Sequence, residues 1–410
     1  MTTTDTAAVS ARPMRAADLR GLTQLGFDAA LGVTNLVEAM HHTIVSRAGI
    51  VGTTPPGRTS GITGLVYGTV RGTTRLVGRG LDAAMGAFAP TNEPQHPSSP
   101  AREAALSVLN GVWGDHLAAT NNPLAIPTTL RIGGRSLSLT REDLAAHVAN
   151  PRAKLLVLSH GLCMNDLQWQ RNGHDHGQAL SRDIGFTPVY LHYNSGRHIS
   201  ENGEDFAGLL ERLFAYWPVP VEELVIVGHS MGGLVARSAC DRAVLVKHKW
   251  TSALTKLVFL GTPHHGAALE RGGHQVDMLF GISPYVAPFA RLGKARSAGI
   301  TDLRFGNVQA ADWQGRDRHS QRHDDRQPTP LPSRADSFIV AATKAAKIGG
   351  LHSRVVGDGL VPLASALGEH RDTQHTLKVP PHRTRIVTSA NHWDLLSRED
   401  VYAQLRAWLT

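Results

Sequence analysis

Six uninterrupted apolar runs limit what this chain can fold into: "KLLVLSHG" (154–161), "TPVYLHYN" (187–194), "ELVIVGHS" (223–230), "KLVFLGTP" (256–263), "DSFIVAAT" (336–343) and "TRIVTSAN" (384–391). A strand with one wet face alternates apolar and polar residues, so unbroken β-rich runs fit strands covered on both faces. Helical segments alternate with several of them, from Asp205 to Trp217, Gly232 to Val246 and Arg398 to Leu409. Strand alternating with helix predicts an α/β architecture with a mostly parallel central sheet and helices on both faces. A short helix at about 101–119 and a hairpin around Gly133-Gly134 in "LRIGGRSLSLT" precede the first run.

The first hundred residues read differently. A Pro/Ser/Asn-rich stretch, "PTNEPQHPSSP" (90–100), has the composition of a linker, which predicts an N-terminal extension over 1–100 and a main domain over 101–410. Before it, Leu22, Leu25, Ala29, Leu36, Met40 and Ile44 recur at helical spacing within 16–48. In 61–89, Ile62, Val66, Val70, Val77, Leu81 and Phe88 share one side of a helical wheel, with Arg71, Arg75 and Arg79 opposite and Gly64, Gly68 and Gly72 beside them. Two readings follow. One is a helical pair packed on the main domain or another subunit; the other is a basic amphipathic surface that sits on a membrane or lipid particle.

Bulk composition narrows the class. At 410 residues, 41% hydrophobic and 19% charged, the chain is an ordinary globular protein. Its formal charge of +8 is dispersed, with no basic block, so no nucleic-acid partner is expected. Two cysteines, Cys163 and Cys240, make no disulfide framework. The start, "MTTTDTAAVSARPMRAADLRG", lacks a basic region followed by an apolar core, and no run of 18 apolar residues occurs. A cytoplasmic protein, with at most peripheral membrane contact, is the expectation.

Candidate chemistry starts at "GHSMG", Gly228 to Gly232, which follows a predicted strand and opens a predicted helix. That G-x-S-x-G context places a serine on a sharp turn, where the flanking glycines let strand and helix approach closely. Ser230 is the candidate nucleophile, and the Met231 N–H at the helix start faces the same space. A hydroxyl needs a base. Of 22 histidines, His392 in "TSANHWDLL" follows the last strand by two residues and shares the carboxyl edge of the sheet with Ser230. Asp358 in "VVGDGLVP" follows the "FIVAAT" strand and completes the order Ser, Asp, His, with Asp394 as a rival too close along the chain to His392. The N–H of Leu162, after His160-Gly161, is the natural second oxyanion donor beside that of Met231. No metal or organic cofactor is required. "NGHDHG" (172–177) and "GRDRHSQRHDDRQPTPLP" resemble ligand clusters but read as polar surface.

With these pieces in view, the chain resembles the α/β-hydrolase-fold serine esterases of the lipase type, near the bacterial triacylglycerol lipases and the serine esterases related to the GPI inositol-deacylases. "LVLSHGL", "YNSGRHISENG", "VGHSMGGLVAR", "FLGTPHHGA", "DGLVP" and "NHWDLL" carry the resemblance over about residues 150–410. It implies Ser230 as nucleophile, Asp358 as acid, His392 as base, and Leu162 and Met231 as oxyanion donors, with His264 and His265 outside the chemistry. About 70 residues separate "GTPHHG" from "DSFIVAAT", too long for an ordinary connection, and predict a lid or insertion at about 264–335. The expected activity is hydrolysis of acyl esters, lipid-like in character. Acyl transfer and intracellular polyester depolymerisation use the same triad and stand as alternatives, with an inactive interaction protein as the remaining one.

Overall fold

The computed structural model describes residues 15–47, 61–88, 98–267, 297–316, 324–347 and 357–410. They fall into two compact units, one of residues 1–96 with 119–124 and the other of 97–118 with 125–410.

The smaller unit is a helical hairpin of α1 (Ala16–Arg47) and α2 (Gly61–Phe88). Gly78 gives Phe27 room to pack, Arg20 and Gln24 both hold Asp82, and Arg71 meets Glu38 in a buried ion pair. Arg71 points at α1, while Val66, Val70, Val77 and Leu81 are exposed. A helical wheel groups residues by face but carries no information on which face is covered.

The larger unit is built on one eight-stranded sheet. In chain order its elements are α3 (Pro100–Ala119), β1 (Thr129–Ile132), β2 (Arg135–Ser136), α4 (Arg141–His147), β3 (Lys154–Ser159), α5 (His176–Ile184), β4 (Thr187–His192), α6 (Ile199–Tyr216), β5 (Glu223–His229) and α7 (Met231–Val246). Then follow β6 (Leu254–Leu260), α8 (Ala298–Phe305), β7 (Asp336–Ala342), the one-turn α9 (Leu363–Ala366), β8 (Thr384–Val387) and α10 (Glu399–Leu409). The sheet order is β2-β1-β4-β3-β5-β6-β7-β8. Strand β1 runs antiparallel to β2 and β4, and all pairs from β4 to β8 are parallel.

The unbroken apolar runs are explained by cover on both faces. In β3 and β5, Leu155, Val157, Leu224 and Ile226 enter a core shared with α6 and α7, and Leu156, Leu158, Val225 and Val227 enter a second core shared with α5 and α10. Mostly parallel strands, two helical layers and a serine at the β5–α7 turn make this an α/β-hydrolase fold. Of the expected lid at 264–335, residues 264–267, 297–316 (with α8) and 324–335 are described, and the rest lies outside the described residues. The reading of 172–177 as polar surface is corrected: Asp175 caps α5 by accepting from Gln178 N–H, and His176 is buried. Alternating His and Asp residues look solvated in sequence because burial comes here from α10 and the Leu395 loop, far along the chain.

Candidate active site

The elbow follows from close packing. A Cβ on Gly228 would lie 2.5 Å from the Gly233 backbone, and one on Gly232 would collide with the Ser159 carbonyl. Only glycines let β5 turn straight into α7 beside β3. Ser230 sits between them at φ 54°, ψ −124°, a conformation rarely adopted by L residues and typical of strain held at a functional site. Its N–H donates to the Leu260 carbonyl at the end of β6 (2.8 Å), which fixes the turn to the neighbouring strand.

His392 and Asp358 are brought together. The His392 Nδ1–H donates to Asp358 Oδ2 at 2.6 Å, and both side chains are buried. The other Asp358 oxygen accepts from the Leu360 and Val361 amides at 2.9 and 2.8 Å, so one carboxylate shapes its own turn and orients the imidazole. Asp394, the rival, accepts from Asn391 N–H at 2.8 Å and serves its own loop. With Nδ1 committed, Nε2 of His392 is the free acceptor. A Cβ on Gly261 would lie 3.1 Å from His392 Cε1 and Nδ1, and Gly261 follows Leu260, which holds Ser230. The His392 ring and Ser230 thus flank one turn. Ser230 Oγ has no hydrogen-bond partner among the described residues, so the structure does not join it to His392. Such bonds are commonly long without substrate and close around it.

The amides of Leu162 and Met231, the candidate oxyanion donors, are oriented by their peptide planes. Gly161 lies against Ser230, with 3.1 Å from a Cβ there to Ser230 Cβ. Its carbonyl accepts from His160 Nδ1–H (2.9 Å) and Met164 N–H (3.3 Å). In a trans peptide the carbonyl and the following N–H point in opposite directions, so anchoring the Gly161 carbonyl sets the direction of the Leu162 N–H. Tyr193 donates its hydroxyl to the His160 carbonyl at 2.7 Å, and Ser195 Oγ takes the Cys163 N–H at 3.0 Å. Among the described residues, the buried N–H groups of Leu162 and Met231 have no protein acceptor. Beneath this loop, Arg131 bridges Glu103 (2.9 Å) and Asp166 (3.0 Å). Burial would lift the Asp166 carboxyl, but His192 and Arg131 outweigh it and hold it below its ordinary value.

His229 is the site residue that sequence reasoning missed. It is fully buried, and its Nε2–H donates to the His392 carbonyl at 3.3 Å. Its ring lies 4.7 Å from that of His392, and a Cβ on Gly161 would be 3.3 Å from its Nδ1. Burial, reinforced by His392, holds it neutral, well below its ordinary pKa. One ring therefore touches the base loop, the elbow and the oxyanion loop. Its place beside Ser230 was the available signal. His264 is buried against Phe259 and Arg237, and among the described residues it makes no hydrogen bond to Ser230 or His392.

The strand, elbow and helix that carry Ser230 lie in one stretch of chain with a recognisable pattern. Residues 204–325 match the PGAP1-like alpha/beta domain. That stretch includes Ser230 and excludes Asp358 and His392. No curated protein matches the chain. Among solved structures it is similar to the mature Bacillus licheniformis lipase BlEst2, with a TM-score of 0.40 at 19% identity over 64% of this chain and 95% of that one. It is also similar to the Pyrococcus furiosus esterase Pf2001, with a TM-score of 0.36 at 14% identity over 63% and 80%. The type II thioesterase YbtT of yersiniabactin biosynthesis gives 0.36 at 15% identity over 64% and 92%.

Proposed function

We propose that the chain is a serine carboxylic-ester hydrolase acting on lipid-like acyl esters through an acyl-enzyme on Ser230. The observation that carries this reading is the buried 2.6 Å bond from His392 to Asp358 beside a strained serine elbow. His392 Nε2 takes the Ser230 proton as Oγ attacks the ester carbonyl, and the oxyanion rests on the Leu162 and Met231 amides. His392 then gives that proton to the leaving alcohol. It next deprotonates a water that attacks the acyl-enzyme, releasing the acid and restoring the serine. Asp358 holds the imidazole tautomer and stabilises the imidazolium between these steps. The apolar sequence "VDMLFGISPYVAPFARLG" supports an acyl chain as part of the substrate. Two buried free thiols fit an intracellular setting.

The test is a chain-length series of p-nitrophenyl esters with fluorophosphonate labelling. Wild type should turn over esters and be labelled. Ser230→Ala should lose label and at least about 10³-fold in kcat/KM. A wild-type protein that neither labels nor hydrolyses any member of the series overturns the assignment.

A further inference from the structure

We propose that the outer face of α2 docks on an anionic lipid layer, which is a property separate from the chemistry at Ser230. At 3.6 residues per turn, Leu65, Val66, Val70, Leu76, Val77 and Leu81 fall within about 160° of one helical wheel. All six are exposed, Leu65 and Leu76 by 71% and 74%. The opposite side of the helix is already used, because Arg71, Gly78 and Asp82 meet Glu38, Phe27 and Arg20 of α1. The apolar arc is therefore not the packing seam of the hairpin. A soluble helix seldom leaves so continuous a band of Leu and Val in water without a partner.

Charge selects the occupant. At 100° per residue, Arg79 lies about 40° beyond the Leu65 edge of the band and Arg75 about 80° beyond it; both are exposed and have no ion pair or hydrogen bond among the described residues. The sole acidic residue of α2 is Asp82, and Arg20 and Gln24 hold it. Two copies of α2 laid face to face would leave the Arg79 beside each band with no free carboxylate on either helix to answer it. A layer of anionic headgroups over acyl chains answers both features. The Leu and Val side chains enter the acyl boundary while the guanidinium groups stay at the phosphates. No described helix is long and apolar enough to cross a membrane, so the mode is lying on the surface.

The experiment is co-sedimentation of the full chain with phosphatidylcholine vesicles, with and without phosphatidylglycerol, at low and high salt. Wild type should pellet with the anionic vesicles and be released by salt. Arg75→Gln with Arg79→Gln should lower the partition coefficient by roughly 30-fold. Leu65→Gln with Leu76→Gln should abolish pelleting. An unchanged melting temperature and an unchanged rate on a soluble ester show that each variant is folded. Three results overturn the proposal: wild type staying in the supernatant with anionic vesicles, either double variant binding as wild type does, or self-association that Leu65→Gln with Leu76→Gln disperses while no vesicle binding occurs.

Discussion

In the sheet unit, apolar side chains fill two cores and buried polar groups act together, as where Asp358, His392 and His229 hold one another in the interior. In the N-terminal hairpin the arrangement is reversed, because ions such as Arg71 and Glu38 lie between the helices while leucines and valines face outward. Among the described residues, the strands of the sheet unit are covered on both faces, whereas α2 leaves a band of Leu and Val exposed. The buried ion pair gives the hairpin register more than strength, since desolvating two charges offsets much of their attraction. It follows that chemistry and attachment are separable, and four substitutions or titrations probe that separation.

The largest effect belongs to Asp358→Asn. The new amide oxygen can still accept from Leu360 and Val361, so the turn survives, but its NH2 group opposes the His392 Nδ1–H. Steady-state kinetics should show kcat/KM down by about 10³- to 10⁴-fold with the melting temperature nearly unchanged. Next comes Arg71→Ala, which leaves the Glu38 carboxylate without its guanidinium. It should cost the hairpin about 3–5 kcal/mol, read as faster amide exchange in α1 and α2, with ester turnover as in wild type. If turnover collapses too, the two regions are not separable.

His229→Phe keeps a ring and loses the donor to the His392 carbonyl. A fall in kcat of roughly 10-fold at constant KM is expected, with partial recovery in His229→Gln. The smallest effect is a pH term. Burial pushes His176 down to about 4, below its usual 6.5, while its Nε2–H serves the Leu395 carbonyl. The unfolded chain then binds more protons between these values, so stability falls as pH drops through 6.5 toward 4. Urea melts should show roughly 1 kcal/mol lost from this group between pH 7 and 6, and His176→Gln should remove that share of the slope.

Much of the sheet unit was legible because β3 to β8 each carry a continuous apolar run, and Ser230, Asp358 and His392 each follow the end of one. His392 is hydrogen-bonded to Asp358, whereas among the described residues no hydrogen bond joins Ser230 Oγ to His392. His229 was not legible: periodicity assigns it to a strand, and only tertiary packing puts its ring against His392. Which side of α2 carries Arg71 against α1 was not legible for a related reason. A cation looks solvent-facing until a specific glutamate, 33 positions earlier, is brought over it.

The double duty of Asp358 has a consequence for how this loop can vary. Its two oxygens serve different masters, one the path of the backbone and the other the proton inventory of the imidazole. An insertion between 357 and 361 would therefore not merely lengthen a connector but retune the base. Exchange of the segment with another protein could succeed only as a cassette that brings its own acid and its own bend together.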